Sequence, residues 1–149
     1  MSGTALRAGF NDSAITHHLA MLAIMDADGF DSARREIGEY LVGDVQDNLD
    51  GQKLFDGSAM PQSKAAINRK GKTLIDHHHL YDSYVYQLVG GGVEVGSALV
   101  YAAINHFGGE TGRTGHRFTM KARPVMGIGP RQEAALGNFL IAEIRRAQP

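Results

Sequence analysis

Between Ala33 and Leu49 the apolar side chains recur at helical spacing: Ala33, Ile37, Tyr40, Leu41, Val45 and Leu49. That period sets them along one side of a helix, with Glu36, Glu39, Asp47 and their neighbours forming an acidic outer side. One amphipathic helix cannot bury its own stripe, so the rest of the chain must supply the opposite wall of a core. The rest does not read as further long helices. Most of the 19 glycines lie after Asp50, a density that signals turns, hairpins and loops. With 149 residues, 43% of them apolar, the chain is one ordinary domain with enough apolar material for a core, and wholesale disorder is excluded. The expected class is α+β: a small antiparallel β-sheet with N-terminal helices and a C-terminal helix packed on it. Residues 1–30 read as an N-terminal arm and short helix, and residues 31–149 as a single domain.

The local signals fill in this outline. Asn11, Asp12 and Ser13 are good caps for a helix over 14–25, with Ile15, Leu19 and Leu22 on one side; 26–29 breaks it. Asp31 or Ser32 caps the acid-faced helix, which ends near Asp50-Gly51. Residues 51–62 read as a loop, and Ser63 caps a short helix from Lys64 to about Arg69. From Ser83 to Val89 the pattern alternates, with Tyr84, Tyr86 and Leu88 on one face. Gly90-Gly91-Gly92 then turns the chain, and Val93 to Val95 returns as the second strand of a hairpin. Ser97 to Phe107 looks helical, closed by Gly108-Gly109, and 110–116 looks like a polar loop. Arg117 to Arg123 alternates again, with Phe118, Met120 and Ala122 opposite Arg117, Thr119, Lys121 and Arg123. Pro124 ends that strand. Gly129-Pro130 opens a last helix with Leu136, Phe139, Leu140 and Ile144 as its stripe, and Arg145 and Arg146 suit its C-terminal end.

The chemistry is sparse. The chain has no cysteine, which excludes disulfides, thiolate metal sites, Fe–S clusters and a cysteine nucleophile. No apolar run approaches a membrane span, and the first residues lack the apolar core of a signal peptide. No Gly-x-Ser-x-Gly occurs, and Glu94 and Glu110 stand alone, so neither catalytic residues nor a cofactor are assigned. Asp76-His77-His78-His79 is the loudest local motif, because neutral imidazole binds borderline metals. It reads first as a polar, partly exposed turn. An alternative of another class takes Asp76-His77-His78, Asn105 and His116 as a loose echo of HNH nucleases, in which a metal polarises a phosphodiester. Gly71-Lys72-Thr73 resembles the end of a phosphate-binding loop, but Ala66 stands where that loop needs glycine and no helix start follows.

Charge is unevenly distributed. Residues 1–60 carry four Lys and Arg against ten Asp and Glu, and residues 61–149 carry eleven against six. An acidic part followed by a basic part suits head-to-tail contact between identical subunits, or unlike charges meeting inside one fold. Lys64, Arg69, Lys70 and Lys72 cluster in sequence. Arg113, Arg117, Lys121 and Arg123 could line a loop and strand, as candidate contacts to another subunit or to DNA phosphates.

Three segments together carry a resemblance: 101–109 (Tyr-Ala-Ala-Ile-Asn-His-Phe-Gly-Gly), 118–128 (Phe-Thr-Met-Lys-Ala-Arg-Pro-Val-Met-Gly-Ile), and the hairpin 83–97 with its Val93-Glu94-Val95-Gly96-Ser97. In that order and spacing the chain resembles the phage virion morphogenesis family, also called tail-completion proteins, over roughly residues 32–146. The family pattern Asp-Thr-Gly-x-Leu before the first hairpin strand is met here by Asp76-His77-His78-His79-Leu80. Asp76 and Leu80 fit and the Thr-Gly pair does not, which leaves that turn's conformation open. The resemblance implies a non-enzymatic structural protein of the neck or upper tail that completes the tail and joins it to the head. A tail terminator or head-closure stopper is the alternative within the class. It implies a ring of identical subunits, sixfold by analogy, around the DNA channel. The implied partners are the tail terminator, tail tube and head-connector proteins and the DNA in the channel, with no membrane. It makes Tyr101, Phe107, Gly108, Arg123 and Pro124 structural positions, with Tyr101 and Phe107 packed against the sheet.

Overall fold

A computed structural model describes residues 30–146 together with Thr16, His17, Leu19, Ala20, Ala23 and Gln148. Those five early residues are helical where the sequence predicts a helix over 14–25; the caps and the bounds of that helix lie outside the described residues.

Helix α1 (Asp31–Gly51) is the spine. Its start differs from the expectation. Phe30, in the left-handed conformation (φ 57°), is the cap residue, and no side chain caps the helix. Asp31 lies inside the first turn, where its carboxylate accepts from Arg34 Nη1 at 2.7 Å. The end is as expected: Gln52 turns left-handed and its N–H bonds back to the carbonyls of Asn48 and Leu49.

Two sides of α1 are covered by different elements. Residues two positions apart point about 200° apart around a helix, so Arg34 and Gly38 face one way, and Glu36, Tyr40 and Asp44 face the other. The first side meets the hairpin of β1 (Tyr84–Val89) and β2 (Gly92–Ser97), paired antiparallel from Tyr84↔Ser97 to Val89↔Gly92. Tyr86 lies so close to α1 that a Cβ at Gly38 would sit 2.3 Å from its ring. Arg34 closes the contact by donating to the carbonyls of Gly90 and Gly92 at 2.7 and 2.8 Å. The second side carries the last helix, Pro130–Arg146, with Tyr40 and Phe139 rings 5.6 Å apart and Arg146 paired to Glu36 at 2.9 Å. The C-terminal helix thus packs on α1, and α1 packs on the hairpin.

Between these lie shorter pieces. Helix α2 (Lys64–Arg69) starts as predicted, with Ser63 Oγ accepting from the Ala66 N–H at 3.1 Å. Helix α3 (His79–Asp82) leads into β1. The helix expected over Ser97–Phe107 shrinks to α4 (Ala102–Phe107), because Ser97 belongs to β2, where its hydroxyl bonds that of Ser83 at 2.6 Å. The expected loop 110–116 is mostly strand: β3 (Gly109–Arg113) pairs antiparallel with β4 (His116–Met120), in register from Gly109↔Met120 to Arg113↔His116. The strand expected over Arg117–Arg123 stops at Met120, where its partner runs out at Gly109. There are therefore two small sheets among the described residues, each of two strands. Continuing the numbering, α5 is Pro130–Arg146, with proline at its first position as predicted. The core joins Val45 and Leu49 of α1 to Met60, Ile75, Leu80, Tyr84, Ala102 and Val125.

Candidate functional site

Among the described residues, a groove runs between α2, the segment before α3, α4 and β4. One hollow of about 390 Å³ is bordered by Arg69, His77, His79, Tyr101 and Asn105. A second of about 560 Å³ is bordered by Lys64, Phe118 and Lys121. They share Ser63, Ala65, Met120 and Arg123 as common floor and wall.

Arg123 organises this floor. It is 6% exposed. Its Nε donates to the Pro61 carbonyl at 2.7 Å, and its two terminal nitrogens donate to Lys121 and Gln62 carbonyls at 3.2 and 3.4 Å. Its own N–H bonds the Asn105 carbonyl at 2.9 Å. Burial lowers the guanidinium pKa, but arginine stays cationic in proteins, so the carbonyls are held by a charged donor. Arg123 therefore pins the Pro61–Gln62 loop to the chain leaving β4 and has no exposed charge to offer a partner. Arg113 and Arg117 stand apart from it, whereas Lys121 borders the same groove. All three are exposed on β3–β4 or just beyond, and of the three only Arg117 has a carboxylate within ion-pair distance among the described residues, Glu110 at 3.9 Å.

The remaining family-motif positions divide. Tyr101 caps α4 at the edge of the groove, its carbonyl accepting from the Asn105 side chain at 2.8 Å, and at 44% exposure it is not buried against a sheet, contrary to the expectation. Phe107 is not packed on a sheet: it is 77% exposed, edge-on to His106 at 4.7 Å. A six-residue helix buries one short side, and in α4 that side is Ala102. Gly108 is required where it stands. Its φ is 70°, and a Cβ there would lie 2.6 Å from the Ala122 backbone nitrogen. Pro124 is half-buried and its carbonyl accepts the Phe55 N–H at 3.0 Å.

The histidine motif splits as well. His77 and His79 border the groove with rings 6.0 Å apart, whereas His78 turns onto Tyr81. His116 stands at the far end of β4, about 13 Å of strand away from the groove residue Met120. The order Asp76-His77-His78, Asn105, His116 is thus not brought to one point. Among the described residues, no group of three or more His, Asp or Glu is placed to hold a metal ion. Gly71-Lys72-Thr73 forms no phosphate cradle: Lys72 lies 3.4 Å from Asp50, and Thr73 is buried, its N–H bonded to Gln52 Oε1 at 2.7 Å.

Sequence reasoning missed a buried polar cluster joining α1 to α5. Asp44, 5% exposed, accepts from Arg131 at 2.5 Å and Gln132 at 2.9 Å. Asn48 donates to the Val125 carbonyl at 2.9 Å. Gln132 also donates to the Phe55 carbonyl at 2.9 Å and accepts from the Gly129 N–H at 3.1 Å. The available signal was spacing: Asp44 and Asn48 sit four apart, flanking the apolar stripe of α1.

No helix among the described residues is long and apolar enough to cross a membrane. Compared with known proteins, the phage virion morphogenesis family matches residues 10–145. A curated relative, Mu-like prophage FluMu G protein 2 of Haemophilus influenzae (strain ATCC 51907 / DSM 11121 / KW20 / Rd), is 34% identical over 80 residues, 54% of this chain and 57% of that protein. The chain thus spans little more than half the length of that relative. No solved structure matches.

Proposed function

Since the chain belongs to the phage virion morphogenesis family, and so has a part in building the virion, we propose that it is a non-enzymatic structural protein of the neck or upper tail. In this reading it completes the tail and joins it to the head. The observation that carries the reading is the family match across residues 10–145. The named relative is a G protein of a Mu-like prophage, which fits a role in the particle.

The surface supports an assembly role over a catalytic one. The enclosed groove has a structural arginine as its floor, and its two histidines lack a third ligand among the described residues. The exposed side chains include the cations of β3–β4 and large apolar residues such as Val85, Val100, Phe107 and Phe118. A subunit with acidic and basic regions at different places can repeat head to tail, and such contacts close into a ring when the rotation between neighbours closes. We take the ring to be a hexamer around the DNA channel, between the tail tube and tail terminator on one side and head-connector proteins on the other. Arg113 and Arg117 are exposed cations on β3–β4 that DNA passing through it would meet.

The test is to make particles without this protein and to weigh purified virions by mass spectrometry. The expected result is a few copies per virion and, in its absence, filled heads beside unattached tails. Heads and tails that still join, with no copies in the virion, would overturn the reading. Charge reversal at Arg113 and Arg117 should impair DNA retention and leave tail length unchanged; tails of altered length would remove the DNA-contact part.

A further inference from the structure

We propose that the β3–β4 hairpin of one copy seats in a groove between α1 and β1 of the next, with Phe118 as the apolar plug and Lys121 against Glu39. This rests on the ring reading above and names the two surfaces that would make it.

The donor surface is the hairpin. Phe118 is 58% exposed on β4. Arg113, Arg117 and Lys121 surround it in sequence against one carboxylate, Glu110. The acceptor surface is a groove of about 430 Å³ lined by Glu39, Val42, Gly43, Gln46, Val85 and Tyr86. Its floor is apolar and open: Val85 is 63% exposed, and nothing lies within 4 Å of where a Gly43 Cβ would be. Its rim carries Glu39, and Asp47 follows one helical turn after Gly43. Both carboxylates are exposed, and neither has an ion-pair partner among the described residues.

Charge decides the arrangement. Hairpin against hairpin would bring cations together, and groove against groove would bring carboxylates together. Hairpin into groove pairs unlike signs around an apolar contact, the usual plan of a specific interface. The two patches lie on different elements, so where the contact is not reciprocated within one pair it is heterologous, and each copy keeps one donor and one acceptor for its neighbours.

The chain contains no cysteine, which makes cross-linking direct. Phe118→Cys and Val85→Cys alter exposed side chains, and circular dichroism checks that each variant folds. Mixed together under mild oxidation, in solution and in assembled particles, the two should give a disulfide-linked pair that neither gives alone. Lys121→Glu and Glu39→Lys should each weaken self-association at least tenfold, and mixing those two chains should restore it. Self-association without the cross-link and indifferent to both charge changes would overturn this surface and leave the ring standing. Strong cross-linking of Phe118→Cys with itself would replace it by a symmetric hairpin contact. A chain that stays monomeric at all concentrations and lies as single copies in particles would overturn both.

Discussion

His78 holds the left-handed conformation, φ 61° and ψ 6°, as the cap residue of α3. It stands where the family pattern Asp-Thr-Gly-x-Leu has glycine, so the turn keeps the glycine geometry with a side chain imposed on it. A left-handed residue costs roughly 1–2 kcal/mol for most side chains, and histidine is among the types that tolerate it better. His78→Gly should therefore raise stability by up to about 1 kcal/mol, after glycine's own entropy cost, and His78→Val should lower it. Urea midpoints displaced in the same direction by both substitutions would contradict this account. Two glycines of α1 make a matched pair. Gly38→Ala forces a methyl into the Tyr86 ring, whereas Gly43→Ala meets nothing within 4 Å. The first should destabilise by about 1–3 kcal/mol through overpacking. The second should stabilise by about 0.5–1 kcal/mol through helix propensity, with opposite shifts in Tm.

At the scale of elements, α5 is fastened to α1 by polar groups in its first turn and an aromatic contact further along. Asp44 is the centre of the fastening. Asp44→Ala takes the carboxylate from half-exposed Arg131 and one of two acceptors from the buried Gln132 amide, Phe55 remaining, and should cost about 1–3 kcal/mol. Hydrogen exchange should speed up in α5 and around Phe55 and Gly129, the backbone groups that Gln132 holds, and change little in β3–β4. Uniform exchange enhancement over all elements would mean that α5 does not open separately. This cluster also marks the limit of what the sequence shows. The stripe of α1 and the alternation of β1 were legible because burial on one side prints a period on the chain. Asp44 and Gln132 were not, because their partners lie 88 residues apart and a buried Asp looks like a surface Asp until its partner is known. Strand β3 was illegible for another reason. Gly109-Glu110-Thr111-Gly112-Arg113 has no apolar alternation, and its extended form comes from pairing with β4. In the groove, the motif showed that residues 101–109 and 118–128 matter, but not that Arg123 would be its buried floor.

The whole molecule feels acid through His106. Burial lowers its pKa from the ordinary value of 6.5, so the folded state prefers the neutral ring. The contribution is complete above about pH 6.5, where the unfolded ring is also neutral, and is lost as pH falls through the depressed folded value. The unfolding temperature should therefore drop on acidification below pH 6.5, and less in His106→Asn than in the parent chain. Equal slopes in both would remove His106 as a cause. Salt probes the other whole-molecule property, the separation of acidic and basic regions along the chain. If copies join hairpin to groove, the attraction acts between exposed charges, and screening shortens its reach from about 10 Å at 0.1 M salt to about 3 Å at 1 M. Self-association measured by sedimentation velocity should weaken at least fivefold between low and high salt. The Lys121→Glu chain, already lacking the attraction, should respond less or in the opposite sense. Association that tightens with added sulfate in the parent chain would assign the contact to apolar burial around Phe118 instead, because screening weakens charge pairing while an excluded salt strengthens apolar burial.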